Sequence, residues 1–300
     1  MTNPTFSILI TTKNRLSDLA FTLEKIQYLL DKKEVVCLIC DDGSTDGTAS
    51  FLQAEYPEIK LIQNSNSQGL IYSRNRLLSM VTTEFAVSID DDLHFVTQNP
   101  LEIISYFFIQ NPEVGVLGFR IFWNKTEPIS TATLEQSMPM QSYAGGAHAF
   151  RMKAWRDIPK YPAWFIFYGE ENFASYHLFK KRWKIYYLPE VLVNHRVDLK
   201  LRKNNSDYVV RSRRALRAGW YLFFMFYPLK KIPRKMAYSL WMQFKNKVFQ
   251  GDFKALIAIG MALLDLVWNV PRIIKNSNRL TQTEYDEYNQ LPETKLYWQP

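Results

Sequence analysis

The sequence predicts an α/β fold: a mostly parallel sheet flanked by helices, followed by a helical, basic-aromatic extension. Three observations carry that expectation. The first half alternates short apolar runs rich in β-favouring residues with amphipathic stretches, the pattern of a parallel sheet covered on both faces. The charge is divided: residues 1–150 carry 10 Lys+Arg against 17 Asp+Glu, a net of −7, and residues 151–300 carry 27 against 12, a net of +15. From about Arg196 onward, arginine and lysine are interleaved with Trp, Tyr and Phe. With 300 residues, 47% hydrophobic and 22% charged, the chain can bury a sizeable core and is too apolar for wholesale disorder. Two cysteines, Cys37 and Cys40, cannot staple a secreted scaffold, so packing in a reducing compartment is expected to hold the fold.

The run FSILITT at 6–12 predicts the first strand, and the amphipathic stretch 16–30 the first helix. Strand signals return at 34–40, 59–63 and 85–89, with helices predicted between them at 48–56 and 70–81. Polar residues, Pro and Met over 123–143 predict a long loop able to close over a ligand. Order is expected to resume at Gly145-Gly146, followed by a helix over 172–181 and strands over 184–188 and 191–194. A boundary is placed there, giving a sheet domain over 1–197 and a helical region over 198–300. The polar residues 1–4 and the short apolar run after them do not make a signal peptide. The apolar stretches 220–229 and 255–268 fall short of the ~20 residues of a spanning helix, and Asp265 interrupts the second. The expected location is cytoplasmic, peripheral on the inner face of the cell membrane.

In a doubly wound sheet the ligand sits at the carboxyl ends of the strands, and the residues there are unusual. The first strand ends in Thr11-Thr12-Lys13-Asn14-Arg15, the second in Asp41-Asp42-Gly43-Ser44, and the strand at 85–89 in Asp90-Asp91-Asp92. Three adjacent carboxylates repel one another, and a divalent cation with hard oxygen ligands, Mg²⁺ or Mn²⁺, removes that cost. The segment from Asp42 to Gly47 begins like a calcium loop, but its twelfth position is Gln53 where a bidentate Glu is needed; a turn opening a helix is the better reading. Neither GxGxxG nor a P-loop occurs. Glu170 and Glu171 follow an aromatic run, where a carboxylate gains proton affinity and can act as a general base. His195 ends the last predicted strand, and His94 is a weaker metal or phosphate candidate. Cys37 and Cys40, three apart in a strand with no second pair, are assigned to the core.

These residues resemble the family 2 glycosyltransferases, whose nucleotide-sugar-binding fold is called GT-A. The resemblance covers about residues 6–197 and rests on ILITTKNR, ICDDGSTDGT, QGLIYSRNRLL, SIDDDLHF, GGAHAFR and FYGEENFASYHLFKKRWKIYYLPEVLVNHR, in the family's order and spacing. It implies an inverting, metal-dependent transfer of a sugar from a nucleotide-diphosphate donor to a glycan or lipid-linked acceptor hydroxyl. It implies nucleotide-sugar contacts at Thr11, Asn14, Arg15, Asp41, Asp42, Arg74, Asp90, Asp91, Gly145 and Gly146. Asp92 and His195 are the implied Mn²⁺ or Mg²⁺ ligands, and Glu170 and Glu171 the implied catalytic pair with Glu171 as base. Two positions depart from the family pattern: Thr11 replaces the usual proline, and Phe173 replaces the acid commonly found two positions after the base.

Residues 196–254 hold 15 Lys+Arg and 3 Asp+Glu interleaved with Trp220, Tyr221, Phe223, Phe224, Phe226, Tyr227 and Trp241, a mixture that suits an anionic membrane surface. The stretch 253–268 is apolar nearly all round, as expected of a helix that is buried or sunk in lipid. Nucleic acid is not expected as a partner, because the same chain carries an acidic cleft. The alternative to an enzyme is a catalytically silent nucleotide-sugar-binding scaffold at the membrane surface.

Overall fold

The apolar runs assemble into one sheet in the computed structural model of the chain, which describes residues 5–197 and 207–300. The first half alternates as expected: β1 (Phe6–Thr12), α1 (Leu16–Leu30), β2 (Val35–Asp41), α2 (Thr48–Glu55), β3 (Lys60–Gln63), α3 (Leu70–Met80) and β4 (Phe85–Asp90). In α1 the apolar residues Leu19, Leu23, Ile26 and Leu29 recur at three- and four-residue spacing, and all are buried against the sheet. The second half adds elements that the sequence pattern did not announce: β5 (Leu93–Phe95), α4 (Pro100–Gln110), β6 (Val114–Trp123), β7 (Met138–Pro139), β8 (Ala147–Arg151) and α5 (Met152–Arg156). Helix α6 (Glu170–Lys180) begins two residues earlier than predicted, and β9 (Lys184–His195) is one strand where two were expected. A register shift against β6 between Phe119 and Arg120 absorbs the irregularity opposite its middle.

The sheet runs β3-β2-β1-β4-β8-β6-β9-β5, with β7 on β9. Strands β1 to β4, β6 and β9 share one direction, and β5, β7 and β8 oppose it. The register sets the functional edge: Thr12 pairs with Asp41 and Thr11 with Asp90, so three strand tips lie side by side. One face of the sheet packs on α1 and α4 through Ile8, Ile10, Leu23 and Ile104. The other packs on α6 and on α7 (Tyr208–Phe226) through Leu9, Phe165, Phe173, Tyr221 and Phe226.

The chain continues through α8 (Ile232–Asn246), α9 (Phe253–Trp268), α10 (Val270–Lys275) and α11 (Gln282–Gln290). Residues 198–206, where the predicted boundary falls, lie outside the described residues. Beyond them Tyr221, Met225, Ile273, Tyr285 and Tyr288 belong to the same hydrophobic cluster as the sheet residues Leu9 and Leu38. Asp265, which interrupts the apolar run of α9, accepts from Arg213 at 2.6 Å and from Arg217 at 3.1 Å. Arg217 also donates to Phe165 O at 2.8 Å and so ties these helices to the turn that precedes α6. Helix α9 buries only Ala255, Ala258, Ile259 and Ala262 and leaves Phe253, Leu264, Val267 and Trp268 exposed. No helix among the described residues is long and apolar enough to cross a membrane.

Candidate active site

The turn from β4 to β5 carries Asp90, Asp91 and Asp92 to the carboxyl edge, and the surrounding chain supplies two arginines to balance them. Arg15, at the start of α1, lies 3.1 Å from Asp91 and 2.8 Å from Asp92. Burial and its acidic neighbours push the Asp91 carboxyl up to about 7 against the pull of Arg15. Burial also pushes Asp92 upward, but His195 and Arg15 outweigh it and hold this carboxyl well below the usual range. The three acids therefore differ in character although they are adjacent in sequence.

Asp90, Asp92 and His195 offer ligand atoms that all lie within 4.8 Å of one another. The Oδ1 of Asp92 is buried, accepts no hydrogen bond and faces His195 Nε2 at 3.0 Å. Two carboxylates and an imidazole with an unmet buried oxygen fit a hard divalent cation such as Mn²⁺ or Mg²⁺. The structure thus groups Asp90 with the two residues expected as metal ligands. His94 is elsewhere: its ring nitrogens face Glu127 at 3.0 Å and Arg196 at 2.8 Å, which corrects the metal or phosphate expectation.

Arg74, on α3, joins the acids to the glutamate pair. Its guanidinium donates to Asp90 at 3.0 Å, to Glu170 at 2.8 Å and to Gly145 O at 2.8 Å, and lies 3.8 Å from Glu171. The Glu170 side chain is 2% exposed and sealed beneath this arginine, whereas that of Glu171 is 23% exposed. Burial, followed by the charge of Glu170, raises the Glu171 carboxyl to about 8 despite Arg74. Gly145 makes the approach possible, since a Cβ there would stand 1.9 Å from Glu171 Oε1 and 2.8 Å from Arg74. Gly146 accepts the Asp90 backbone N–H at 3.0 Å, and a Cβ on it would meet Asp90 Oδ2 at 3.0 Å. The glycine pair therefore lies between Glu171 and the Asp90–Asp92–His195 group.

A cleft of about 570 Å³ runs along this edge and is lined by Thr11, Arg15, Asp42, Asp90, Asp91, Asp92 and His195 among the predicted residues. Asp42 is heavily engaged: its two oxygens accept from Asn64, Ser67, Ser73 and the backbone N–H groups of Gln68 and Gly69. Its immediate work is to order the 64–69 wall of the cleft. Asp41 accepts the Ser44 N–H at 2.8 Å, and Asn14 accepts from Thr45 N at 2.7 Å, so both brace loops beside the cleft; neither lines it, nor do Arg74, Gly145, Gly146, Glu170 and Glu171, which lie beside Asp90 at its border. A second cavity of about 290 Å³, lined by Met140, Phe179, Ile185 and Tyr288 among others, has no carboxylate or histidine in its wall.

Three features of the cleft escaped the sequence pattern. The loop over 123–143 contributes no lining residue in the ligand-free chain; Glu127 is tied to Lys25 at 2.9 Å and Arg120 donates to Thr131 O at 2.9 Å. The wall is instead Ile166 and Phe167, from a turn in which Ile166 and Tyr168 hold φ of 72°. A β-branched residue at positive φ is a strained conformation of the kind that functional sites retain. Arg214, from α7, also lines the cleft and brings a cation opposite the acids. It sits within SRRALR in the stretch read as a membrane-facing basic region, and no local signal separates it from its neighbours.

Comparison with known proteins adds kinship to this geometry. Residues 7–159 match the family described as "Glycosyl transferase family 2". The chain is 26% identical over 238 residues to "Putative glycosyltransferase EpsE" of Bacillus subtilis (strain 168), covering 65% of this chain and 83% of that protein. Its fold is similar to that of the mannosyltransferase PcManGT from Pyrobaculum calidifontis, solved with GDP-Man and Mn²⁺, at a TM-score of 0.55 and 15% identity over 96% of this chain and 84% of that one. It is also similar to GalNAc-T7, solved with UDP, GalNAc and Mn²⁺, at a TM-score of 0.59 and 15% identity over 77% of this chain. The match spans about half, 49%, of the GalNAc-T7 chain.

Proposed function

This chain belongs to glycosyl transferase family 2 and is a glycosyltransferase, and from that premise we propose that it moves a sugar, with inversion, from a nucleotide-diphosphate donor to a hydroxyl of a glycan or lipid-linked acceptor. The observation that carries this reading is the juxtaposition of Glu171 and the Asp90–Asp92–His195 group on either side of Gly145-Gly146, with Arg74 bonded to Asp90 and Glu170 and 3.8 Å from Glu171. A carboxyl with raised proton affinity then faces an acceptor hydroxyl while the diphosphate lies at the other end of the reacting bond. Glu171 takes the hydroxyl proton as that oxygen bonds to the anomeric carbon and the bond from that carbon to the diphosphate breaks. A single displacement of this kind inverts the anomeric centre. A divalent cation held by Asp90, Asp92 and His195 would neutralise charge developing on the leaving diphosphate. Thr11, Arg15 and Arg214 line the donor's side of the cleft, and Asp42 holds its wall. The GDP-Man named with PcManGT and the UDP and GalNAc named with GalNAc-T7 support the same class of substrate here.

Thermal unfolding with a panel of nucleotides and nucleotide sugars tests the reading. One nucleotide class is expected to stabilise the protein in Mn²⁺ or Mg²⁺ and much less in EDTA, by about 2.7 kcal/mol at a hundredfold excess over Kd. An unchanged transition with every nucleotide, metal present or absent, would overturn it. Metal-dependent binding with no turnover of any donor would leave the silent scaffold.

We propose further that the C-terminal helices rest on an anionic membrane surface. Phe249, Phe253, Leu264, Val267 and Trp268 are exposed, Trp268 by 83%, in a region rich in lysine and arginine. Association with phosphatidylserine-containing vesicles is expected, weakening steeply as salt rises and lost in Phe253→Asp/Trp268→Asp. Equal sedimentation with neutral and anionic vesicles would remove the electrostatic part of the reading.

A further inference from the structure

Helix α7 carries Arg213, Arg214 and Arg217 within little more than one turn. Arg213 and Arg217, four positions apart, share a face, and both turn to Asp265, the one acid in α9. Arg213 grips that carboxylate with two bonds, at 2.6 Å to Oδ2 and 2.5 Å to Oδ1, and Arg217 adds a third at 3.1 Å. Arg214, the residue after Arg213, is turned about 100° round the helix and lines the cleft with Asp90, Asp91 and Asp92.

The carboxylates around Arg214 are taken by other cations. Asp265 is held by the two flanking arginines, Asp207 by Arg211 at 3.4 Å, Asp91 and Asp92 by Arg15, and Asp90 by Arg74. Burial, followed by the like charges of Arg217 and Arg213, lowers the proton affinity of the Arg214 guanidinium. A partly desolvated cation among like charges is costly unless an anion joins it. The helix that presents it is fixed against the cleft at two further points. Arg217 donates to Phe165 O at 2.8 Å, next to Ile166 and Phe167 of the cleft wall. Gly169 lets α7 press on the same turn, since a Cβ there would stand 3.1 Å from Ala218 Cβ.

We propose that Asp265 is a positioning residue for donor binding: by occupying Arg213 and Arg217 it leaves Arg214 as the cation of the three that meets the donor's diphosphate. Three arginines without this counter-charge would repel one another, and the rotation of α7 that aims Arg214 would no longer be fixed. A guanidinium suits the partner, because its planar fork can bond two phosphate oxygens at once. The assignment rests on the nucleotide-diphosphate reading above. It extends the donor site beyond residues 7–159, the part that matches the family, to a helix whose outer face exposes Leu264, Val267 and Trp268.

Calorimetric titration of the full chain in Mn²⁺ tests it, with UDP, GDP, CDP, ADP and dTDP as probes. The nucleoside of whichever diphosphate binds serves as a control, followed by saturation-transfer NMR. Arg214→Gln is expected to weaken the diphosphate by about tenfold or more and to leave the nucleoside signal unchanged. Asp265→Asn is expected to weaken the diphosphate by about threefold to tenfold, again with the nucleoside unchanged. The double variant should bind no more weakly than Arg214→Gln alone, since Asp265 acts through Arg214. Wild-type diphosphate affinity in either single variant overturns the proposal, as do losses that multiply in the double variant or that fall equally on the nucleoside. Should Asp265→Asn not fold, Arg213→Gln/Asp265→Asn, which removes both charges of that pair, takes its place in the cycle with the same expectations. A wild-type chain that binds no diphosphate loses the donor reading itself, whereas one that binds it without regard to Arg214 and Asp265 loses only this assignment.

Discussion

Glu171→Gln is expected to lower the rate of sugar transfer by ~10³-fold, the scale of a lost general base, with little change in donor KM. Glutamine keeps the size that Gly145 accommodates, so the close approach of backbone and side chain survives and only proton acceptance is removed. The wild-type pH profile should identify the group. Burial and Glu170 raise the carboxyl to about 8, so in the free enzyme it holds its proton at neutral pH. The value of kcat/KM should therefore climb as pH rises through about 8 and then level, and the climb should vanish in the glutamine variant. Stability should move in the opposite sense. A carboxyl whose proton affinity is higher in the folded than in the unfolded state contributes stability that is present below its unfolded value, about 4.3, and is lost as pH rises through its folded value. The unfolding temperature of the wild type, without metal or nucleotide, should fall relative to Glu171→Gln between about pH 5 and pH 8. Transfer at the wild-type rate by the variant would remove Glu171 from the base role.

Arg74→Met should have the largest effect on folding. The guanidinium is buried and is the common partner of Asp90, Glu170 and the Gly145 carbonyl. Removing one member of a buried ion network leaves the others desolvated and unpaired, a cost of about 3–5 kcal/mol. The unfolding temperature should drop on the order of 10 °C, and transfer should fall with it because Arg74 bonds both Asp90 and Glu170 and lies beside Glu171. Adding Glu170→Gln removes one orphaned charge and should recover part of the stability without restoring transfer. A double-mutant cycle over Arg74 and Glu170 reads this coupling directly. Additive, independent losses at the two positions would show that the arginine is not the link described here.

The parts legible in the sequence are those set by short-range pattern. Continuous apolar runs at β1, β2 and β4 announce buried parallel strands, and the acids that follow two of them announce the functional edge, because strand tips and the residues just beyond them are local features. Elements of the second half were harder to read for a local reason as well. The runs forming β5, β6 and β8 adjoin or interrupt polar and glycine-containing segments, and their partners in the sheet are distant in the chain. The loop over 123–143 has the composition of a mobile cover, yet side chains of Lys25 and Arg120 bond parts of it, and composition does not encode such anchors.

The sequence by itself determined the order of strands and helices in the first half, the family resemblance, and which acids stand at the carboxyl edge. Tertiary structure alone decided how those acids are used. It divided Asp90, Asp91 and Asp92 between two arginines and a histidine, sealed Glu170 while leaving Glu171 partly exposed, and turned Asp42 toward the loop that walls the cleft. It also brought Arg214 and Tyr297, both from the region read as a separate helical extension, to the edge of the catalytic sheet. The reason is physical: periodicity and propensity act between neighbours a few residues apart, whereas ion pairing, desolvation and close backbone approach depend on distance in space. Arg74 meets Glu170 across 96 positions of chain, and the packed sheet is what brings them together.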